Sequence, residues 1–191
     1  MNICMYGASS TDLDRIYYDE AEHLGRRIAA RGHGLVFGGG AQGLMGATAR
    51  GLAAGGGRIT GIAPRFFDKP GILYKECSKF IFTDTMRERK ELMERLSDAF
   101  IMAPGGIGTY EEFFEVLTLK QLGQLNKPIA VFNVNGYYDL LFRLLEDTAS
   151  KGFMKASCLD ILGIFDDADE MLDYIERELV SPLDLSHLKN I

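Results

Sequence analysis

The stretch Ala99-Phe100-Ile101-Met102-Ala103-Pro104-Gly105-Gly106-Ile107-Gly108-Thr109-Tyr110-Glu111-Glu112-Phe113-Phe114-Glu115 decides how this chain folds. It opens on an apolar run of strand length and closes on the start of an amphipathic helix. Between them a proline and three glycines impose a sharp turn and let something approach the backbone. A strand, a glycine-rich turn and a helix N-terminus together form an anion site. The first N–H groups of a helix have no internal partner, and the helix dipole favours negative charge there. Glu111 and Glu112 follow within the first helical turn, which sets two carboxylates beside that cradle.

Working outward, short apolar runs alternate with helical patterns along the whole chain. Strands are expected at Ile3–Tyr6, Gly34–Phe37, Arg58–Ala63, Phe80–Phe82, Phe100–Ala103, Pro128–Phe132 and Ile161–Phe165. Helices are expected at Tyr17–Ala30, Leu44–Ala54, Met86–Ser97, Tyr110 to Leu122, Tyr137–Ala149 and Asp169–Val180, with Pro64–Tyr74 irregular. This alternation predicts an α/β fold: a doubly wound, Rossmann-like parallel sheet with helices on both faces, built as a single domain over residues 1–191. The tail beyond Pro182 is expected to be loosely packed or used in an interface. In such a sheet ligands sit beyond the carboxyl ends of the strands, where strand order reverses. The small-residue loops after the first, second and fifth strands (Gly7-Ala8-Ser9-Ser10, Gly38-Gly39-Gly40 and Pro104–Gly108) all fall at that edge and point to one pocket.

The 191 residues are 47% hydrophobic and 25% charged, enough for a sizeable core, and the net charge of −6 argues against nucleic acid or an anionic membrane as partner. Cys4, Cys77 and Cys158 have no paired spacing, and His23, His33 and His187 no metal-like spacing, so neither a disulfide framework nor a metal site is expected. No signal peptide opens the chain and no apolar run approaches the roughly 18 residues of a membrane span, so the expectation is a cytoplasmic, reduced protein.

Gly38-Gly39-Gly40-Ala41-Gln42-Gly43 matches G-x-G-x-x-G, but the next strand ends Gly61-Ile62-Ala63-Pro64 without the carboxylate a dinucleotide site needs. NAD is therefore rejected, leaving a close backbone approach or a phosphate contact at Gly39 and Gly40, or glycines that only serve a tight strand-to-helix turn. Thr109-Tyr110-Glu111-Glu112 reads as a capping box, with Thr109 as N-cap, although a cap does not explain Gly105, Gly106 and Gly108 before it. Thr85–Glu88 is a second such box. In the helix that follows, Met86, Leu92, Met93 and Leu96 form an apolar stripe on which Arg89 falls, while Arg87, Glu91 and Glu94 face water. An inward arginine needs an anionic partner, for which Glu111, Glu112 or a ligand phosphate qualifies, unless its stem packs and its head reaches water. Lys90, Lys120 and Lys127 carry no mark of a Schiff-base lysine.

At these residues the chain resembles the Lonely Guy (LOG) family of cytokinin riboside 5′-monophosphate phosphoribohydrolases. The family's P-G-G-x-G-T-x-x-E stands as Pro104–Glu112 and its M-x-x-R-K as Met86–Lys90. The likeness extends to Gly38-Gly39-Gly40 with Gly43–Gly46, to Thr118 with Gln121-Leu122-Gly123, to Lys127-Pro128 and to Asn133–Tyr138. Ile107 stands where the family commonly has an aromatic residue, Leu119 where it has Trp and Arg87 where it has His, three changes expected to line the base pocket. Asp68 is the nearest match to an acidic substrate contact in the Pro64–Tyr74 segment.

The resemblance implies hydrolysis of the N-glycosidic bond of a nucleoside 5′-monophosphate (a cytokinin nucleotide or AMP) without metal or cofactor. Glu112, with Glu111 beside it, would stabilise the oxocarbenium-like sugar and orient the water. Arg89 would fix that carboxylate or the ribose and lower the local pKa, keeping the acid ionised. Substrate contacts are expected from Ser9, Gly39, Gly40, Met86, Arg89, Lys90, Gly105, Gly106, Ile107, Gly108, Thr109, Tyr110, Glu111 and Thr118. A homodimer is also implied, with Leu117, Leu122 and Leu125 as candidate interface residues. A reading from a different class is a non-catalytic carrier or sensor of a phosphorylated ligand, resembling molybdenum-cofactor carriers. Such a binder has no need of Arg89 and Glu112 together.

Overall fold

Apolar runs of four or five residues become strands here because helices cover both of their faces. The computed structural model describes residues 1–183. Its strands are β1 (Asn2–Tyr6), β2 (Gly34–Phe37), β3 (Ile59–Pro64), β4 (Lys79–Thr83), β5 (Ala99–Met102), β6 (Ile129–Phe132) and β7 (Gly163–Phe165). They form one parallel sheet in the order β4-β3-β2-β1-β5-β6-β7. The helices are α1 (Arg15–Ala30), α2 (Gly43–Ala54), α3 (Met86–Leu96), α4 (Ile107–Gln121), α5 (Asp139–Ser150) and α6 (Ala168–Val180). Alternate side chains of a strand face opposite ways. In β1, Ile3 and Met5 join the core under α1, α2 and α6, whereas Cys4 and Tyr6 join the one under α3, α4 and α5.

The small residues of α2 let it pack backbone to backbone on α1. A Cβ at Gly25 would collide with the Thr48 carbonyl, and one at Gly51 with the Glu22 carbonyl. Ion pairs tie α6 to α1 at the same side of the sheet: Arg31 reaches Asp169 at 2.8 Å and Asp173 at 2.5 Å, and Arg27 reaches Asp169 at 2.9 Å.

Two expectations are corrected. Leu117 and Leu125 are buried in the core, where their apolar surface is already spent, so of the candidate interface residues Leu122 alone is exposed. Helix α4 begins at Ile107, three residues before the expected Tyr110, with Gly106 as an extended N-cap that makes no side-chain cap bond. Thr109 thus lies inside the helix and the box Thr109–Glu112 does not form, whereas Thr85 does cap α3 by accepting from the Glu88 N–H at 3.1 Å. The expectation for the tail falls, from residue 184 on, outside the described residues. Among the described residues no helix is long and apolar enough to cross a membrane.

Candidate functional site

The chain leaves β1 for β2, β3 and β4 and then returns to β5 on the other side of β1, so strand order reverses between β1 and β5. Helices from opposite faces part there and leave a crevice at the carboxyl ends. The loops that border it are stitched through one residue: Ala8 N–H donates to the Pro104 carbonyl at 3.0 Å, and the Ala8 carbonyl accepts from Leu44 N–H at 2.9 Å. Gly43 makes this junction possible, since its φ of 62° and the adjacent Ala8 and Ser9 backbone leave no room for a side chain. Segment 65–74 supplies a further wall. It is held by Ala41 N–H to the Ile72 carbonyl at 2.9 Å and Tyr74 N–H to the Gly39 carbonyl at 2.8 Å.

These elements enclose a cavity of about 640 Å³, a size suited to a small-molecule ligand. Its floor is the start of α4, where Gly106, Ile107, Gly108 and Thr109 all border the space. The N–H groups of Ile107, Gly108 and Thr109 are the first of the helix and have no partner within it. A Cβ at Gly106 or Gly108 would meet nothing within 4 Å. The protein itself therefore does not require glycine at those positions. Their bareness opens the helix mouth to whatever fills the cavity, and the dipole favours an anion there.

Glu112 and Thr109 share the face of α4 that looks into this cavity, as residues three apart on a helix do. Both are buried, Glu112 with 9% of its surface exposed. Arg89 reaches Glu112 from the first turn of α3, with Nη1 to Oε1 at 2.5 Å, and its Nε donates to the Ile62 carbonyl at 3.2 Å. Arg89 is itself only 6% exposed. Its Nη2 occupies the place that a Cβ would take at Gly38, so the first glycine after β2 is what admits the guanidinium. The arginine also faces Glu112 with the polar lining it needs, because an unpaired buried charge costs several kcal/mol. Burial raises the Glu112 pKa, and Arg89 offsets this only in part. The expected lowering is thus corrected: desolvation outweighs the cation, and the net direction is upward.

The remaining expected residues divide. Ser9, Gly40 and Met86 border the cavity with the α4 residues, Arg89 and Glu112, whereas Gly39, Lys90, Gly105, Tyr110, Glu111 and Thr118 do not. Gly39 sits under the Phe80 ring, and Gly105 is covered by the Thr109 side chain. Glu111 lies one helical position round from Glu112 and turns outward to Lys90, which also pairs with Glu115 at 2.6 Å. Of the three departures expected in a base pocket, only Ile107 borders the cavity. Leu119 packs against the core and Arg87 faces solvent. Asp68 borders a separate hollow beside Phe80 and Phe82. Sequence reasoning missed Gln42, Met45, Phe67, Ile72 and Leu73, which line the cavity. Only the apolar residues of an otherwise irregular segment hinted at the last three.

Residues 45–175 match the family described as "Possible lysine decarboxylase". A protein of Oryza sativa subsp. japonica named probable cytokinin riboside 5′-monophosphate phosphoribohydrolase LOGL1 is 39% identical over 175 residues, 92% of this chain and 78% of that protein. An Arabidopsis thaliana protein named cytokinin riboside 5′-monophosphate phosphoribohydrolase LOG2 is 36% identical, over 92% of this chain and 82% of its own length. Among solved structures, the molybdenum cofactor binding protein from Rippkaea orientalis superposes with a TM-score of 0.71 at 21% identity, covering 92% of this chain and 95% of that one. The molybdenum cofactor carrier protein from Chlamydomonas reinhardtii does so with a TM-score of 0.69 at 20% identity, covering 94% and 98%. At such identity the likeness is one of fold.

Proposed function

This chain belongs to the family of cytokinin riboside 5′-monophosphate phosphoribohydrolases, and from that membership we propose that it hydrolyses the N-glycosidic bond of a nucleoside 5′-monophosphate. The products are a free base and ribose 5-phosphate. The observation that carries the reading is the buried pair of Arg89 and Glu112 facing the same cavity as the bare start of α4.

The 5′-phosphate rests on the N–H groups at the start of α4 and on the Thr109 hydroxyl, where fixed donors and the helix dipole meet its charge. Ribose then lies beside Glu112. As the C1′–N bond breaks, its electron pair leaves with the base and positive charge develops on the sugar ring. The Glu112 carboxylate stabilises that charge and accepts a proton from the attacking water, and this proton passes on to the departing base nitrogen. Arg89 holds that carboxylate in place through Nη1. The base is left to the apolar wall of Met45, Phe67, Ile72, Leu73 and Met86, which suits an adenine carrying an apolar N6 substituent as well as plain adenine. The description as a lysine decarboxylase draws no support from this site. Among the described residues no lysine borders the cavity, and the Lys127 ammonium is fastened to the Glu94 and Ser97 carbonyls at 2.7 Å each. The carrier reading is left with likeness of fold alone.

The same reading makes the protein a cytoplasmic homodimer. Its three thiols are free, and Leu140 and Leu144 on α5, with Phe153 beyond it, offer an exposed apolar surface that a second copy would cover. Sedimentation as a monomer at micromolar concentration would remove the dimer. Incubation with AMP and with N6-isopentenyl-AMP is expected to release free base. Glu112→Gln and Arg89→Ala are each expected to lower kcat/KM by about a hundredfold to ten-thousandfold while the fold persists by circular dichroism. Binding of phosphate ligands without base release from any nucleotide would replace the hydrolase with a carrier.

A further inference from the structure

The turn between β6 and α5 is wound tightly. Asn135 and Gly136 both take positive φ, at 53° and 68°. Asn133 closes the turn, accepting from the Tyr138 N–H at 2.7 Å and donating to Asp139 at 2.9 Å. This winding aims two consecutive tyrosines at the loop after β5. Tyr138, fully buried, donates its hydroxyl to the Ala103 carbonyl at 2.8 Å, and Tyr137 donates to the Gly105 carbonyl at 2.9 Å. The Tyr137 ring is held edge-on by Tyr17 and Tyr138, with centroids 5.9 and 4.8 Å away. Burial raises the pKa of both hydroxyls, so they remain donors.

A peptide group is planar and trans, so its C=O and N–H point in opposite directions. Fastening the Gly105 carbonyl to Tyr137 therefore turns the Gly106 N–H away from Tyr137, and Gly106 borders the cavity whereas Tyr137 does not. The peptide in question joins two glycines. Glycine occupies both signs of φ with similar ease, so neither side chain restrains this plane from flipping. We infer that Tyr137 is a positioning residue whose hydroxyl latches the Gly105–Gly106 peptide so that the Gly106 N–H joins the α4 donors in holding the 5′-phosphate. The inference rests on the nucleotide reading above. Tyr138 supplies the internal comparison: its acceptor, the Ala103 carbonyl, belongs to a peptide whose nitrogen is that of Pro104, with no N–H to aim.

The test uses inorganic phosphate and AMP as probes of the intact protein. In Tyr137→Phe, phosphate affinity by calorimetry is expected to fall about tenfold, the effect of one charge-assisted hydrogen bond. KM for AMP rises in step while kcat moves little, and the Gly106 amide resonance loses its response to added phosphate. Tyr138→Phe, by contrast, lowers the melting temperature and keeps phosphate affinity. Undiminished phosphate affinity in Tyr137→Phe, or an equal loss in both variants, overturns the latch, as does wild-type protein that binds no phosphate. Phosphate titration needs no turnover. Wild-type protein that binds phosphate through Gly106 yet frees no base from any nucleotide would sink the hydrolase and leave the latch standing.

Discussion

Glu112 sits where two opposing influences on one carboxyl group meet, and burial wins over Arg89. Its proton therefore leaves at a higher pH than the roughly 4.3 of a solvated glutamate. If the carboxylate is the active form, the acid limb of kcat/KM lies above that value. Arg89→Ala, which removes the cation holding the pKa down, moves the limb of any residual activity further up; a limb that stays put would separate Glu112 from the rate. The same shift makes folding stability depend on pH. Between its unfolded and folded pKa values the folded state holds the extra proton, so the contribution is present at lower pH and lost as pH rises through that window. Gly38 tests the same geometry from the other side. Its Cβ would displace Arg89 Nη2, so Gly38→Ala is expected to match the activity loss of Arg89→Ala in turnover assays, with a smaller change in melting temperature. The inward aim of Arg89 was legible in the spacing of Met86, Leu92, Met93 and Leu96, because a helix repeats its face every three to four residues. The choice of Glu112 over Glu111 as its partner was not. Adjacent residues on a helix lie about 100° apart, and only the placement of α3 beside α4 decides which of them meets the arginine.

The elements were legible to within a few residues, with one instructive exception. Gly106, Ile107 and Gly108 read as loop because glycine disfavours a helix interior by about 1 kcal/mol, yet α4 already begins at Ile107. Local propensity of that size is readily overridden when a strand behind and a core beneath hold the segment. The shift has a chemical consequence, since it makes the Ile107, Gly108 and Thr109 amides the unpaired donors of the helix mouth. Gly51→Ala drives a methyl from α2 into the Glu22 carbonyl of α1, and overpacking of this kind costs about 1–3 kcal/mol. The melting temperature is expected to drop accordingly while KM for AMP holds, because α2 meets the cavity at Gln42 and Met45, well before Gly51. An unchanged melting temperature would mean that the two helices separate freely.

For the whole molecule, the pairing of α6 with α1 closes one face of the sheet through Arg27 and Arg31 against Asp169, with Asp173 and Glu176 alongside. Hydrogen bonds from Arg31 and Arg27 lower the Asp169 pKa. That contribution is present above the unfolded pKa of about 3.9 and is lost as pH falls through the folded one. Arg31→Ala is expected to melt several degrees below wild type at neutral pH and low salt, with the gap closing in acid and in high salt. A gap independent of pH would assign the loss to packing of the arginine stem. The amino-acid pattern alone was enough for the alternation of strands and helices, the doubly wound sheet, and the convergence of the loops after β1, β2 and β5 on one edge. Each of these follows from periodicity and turn chemistry, which are local and repeat along the chain. Tertiary structure alone decided that Phe67, Ile72 and Leu73 wall the cavity, that Leu117 and Leu125 are core, and that burial pushes the Glu112 pKa upward. These depend on which distant segments share space and exclude water together, a property that no window of neighbouring residues contains.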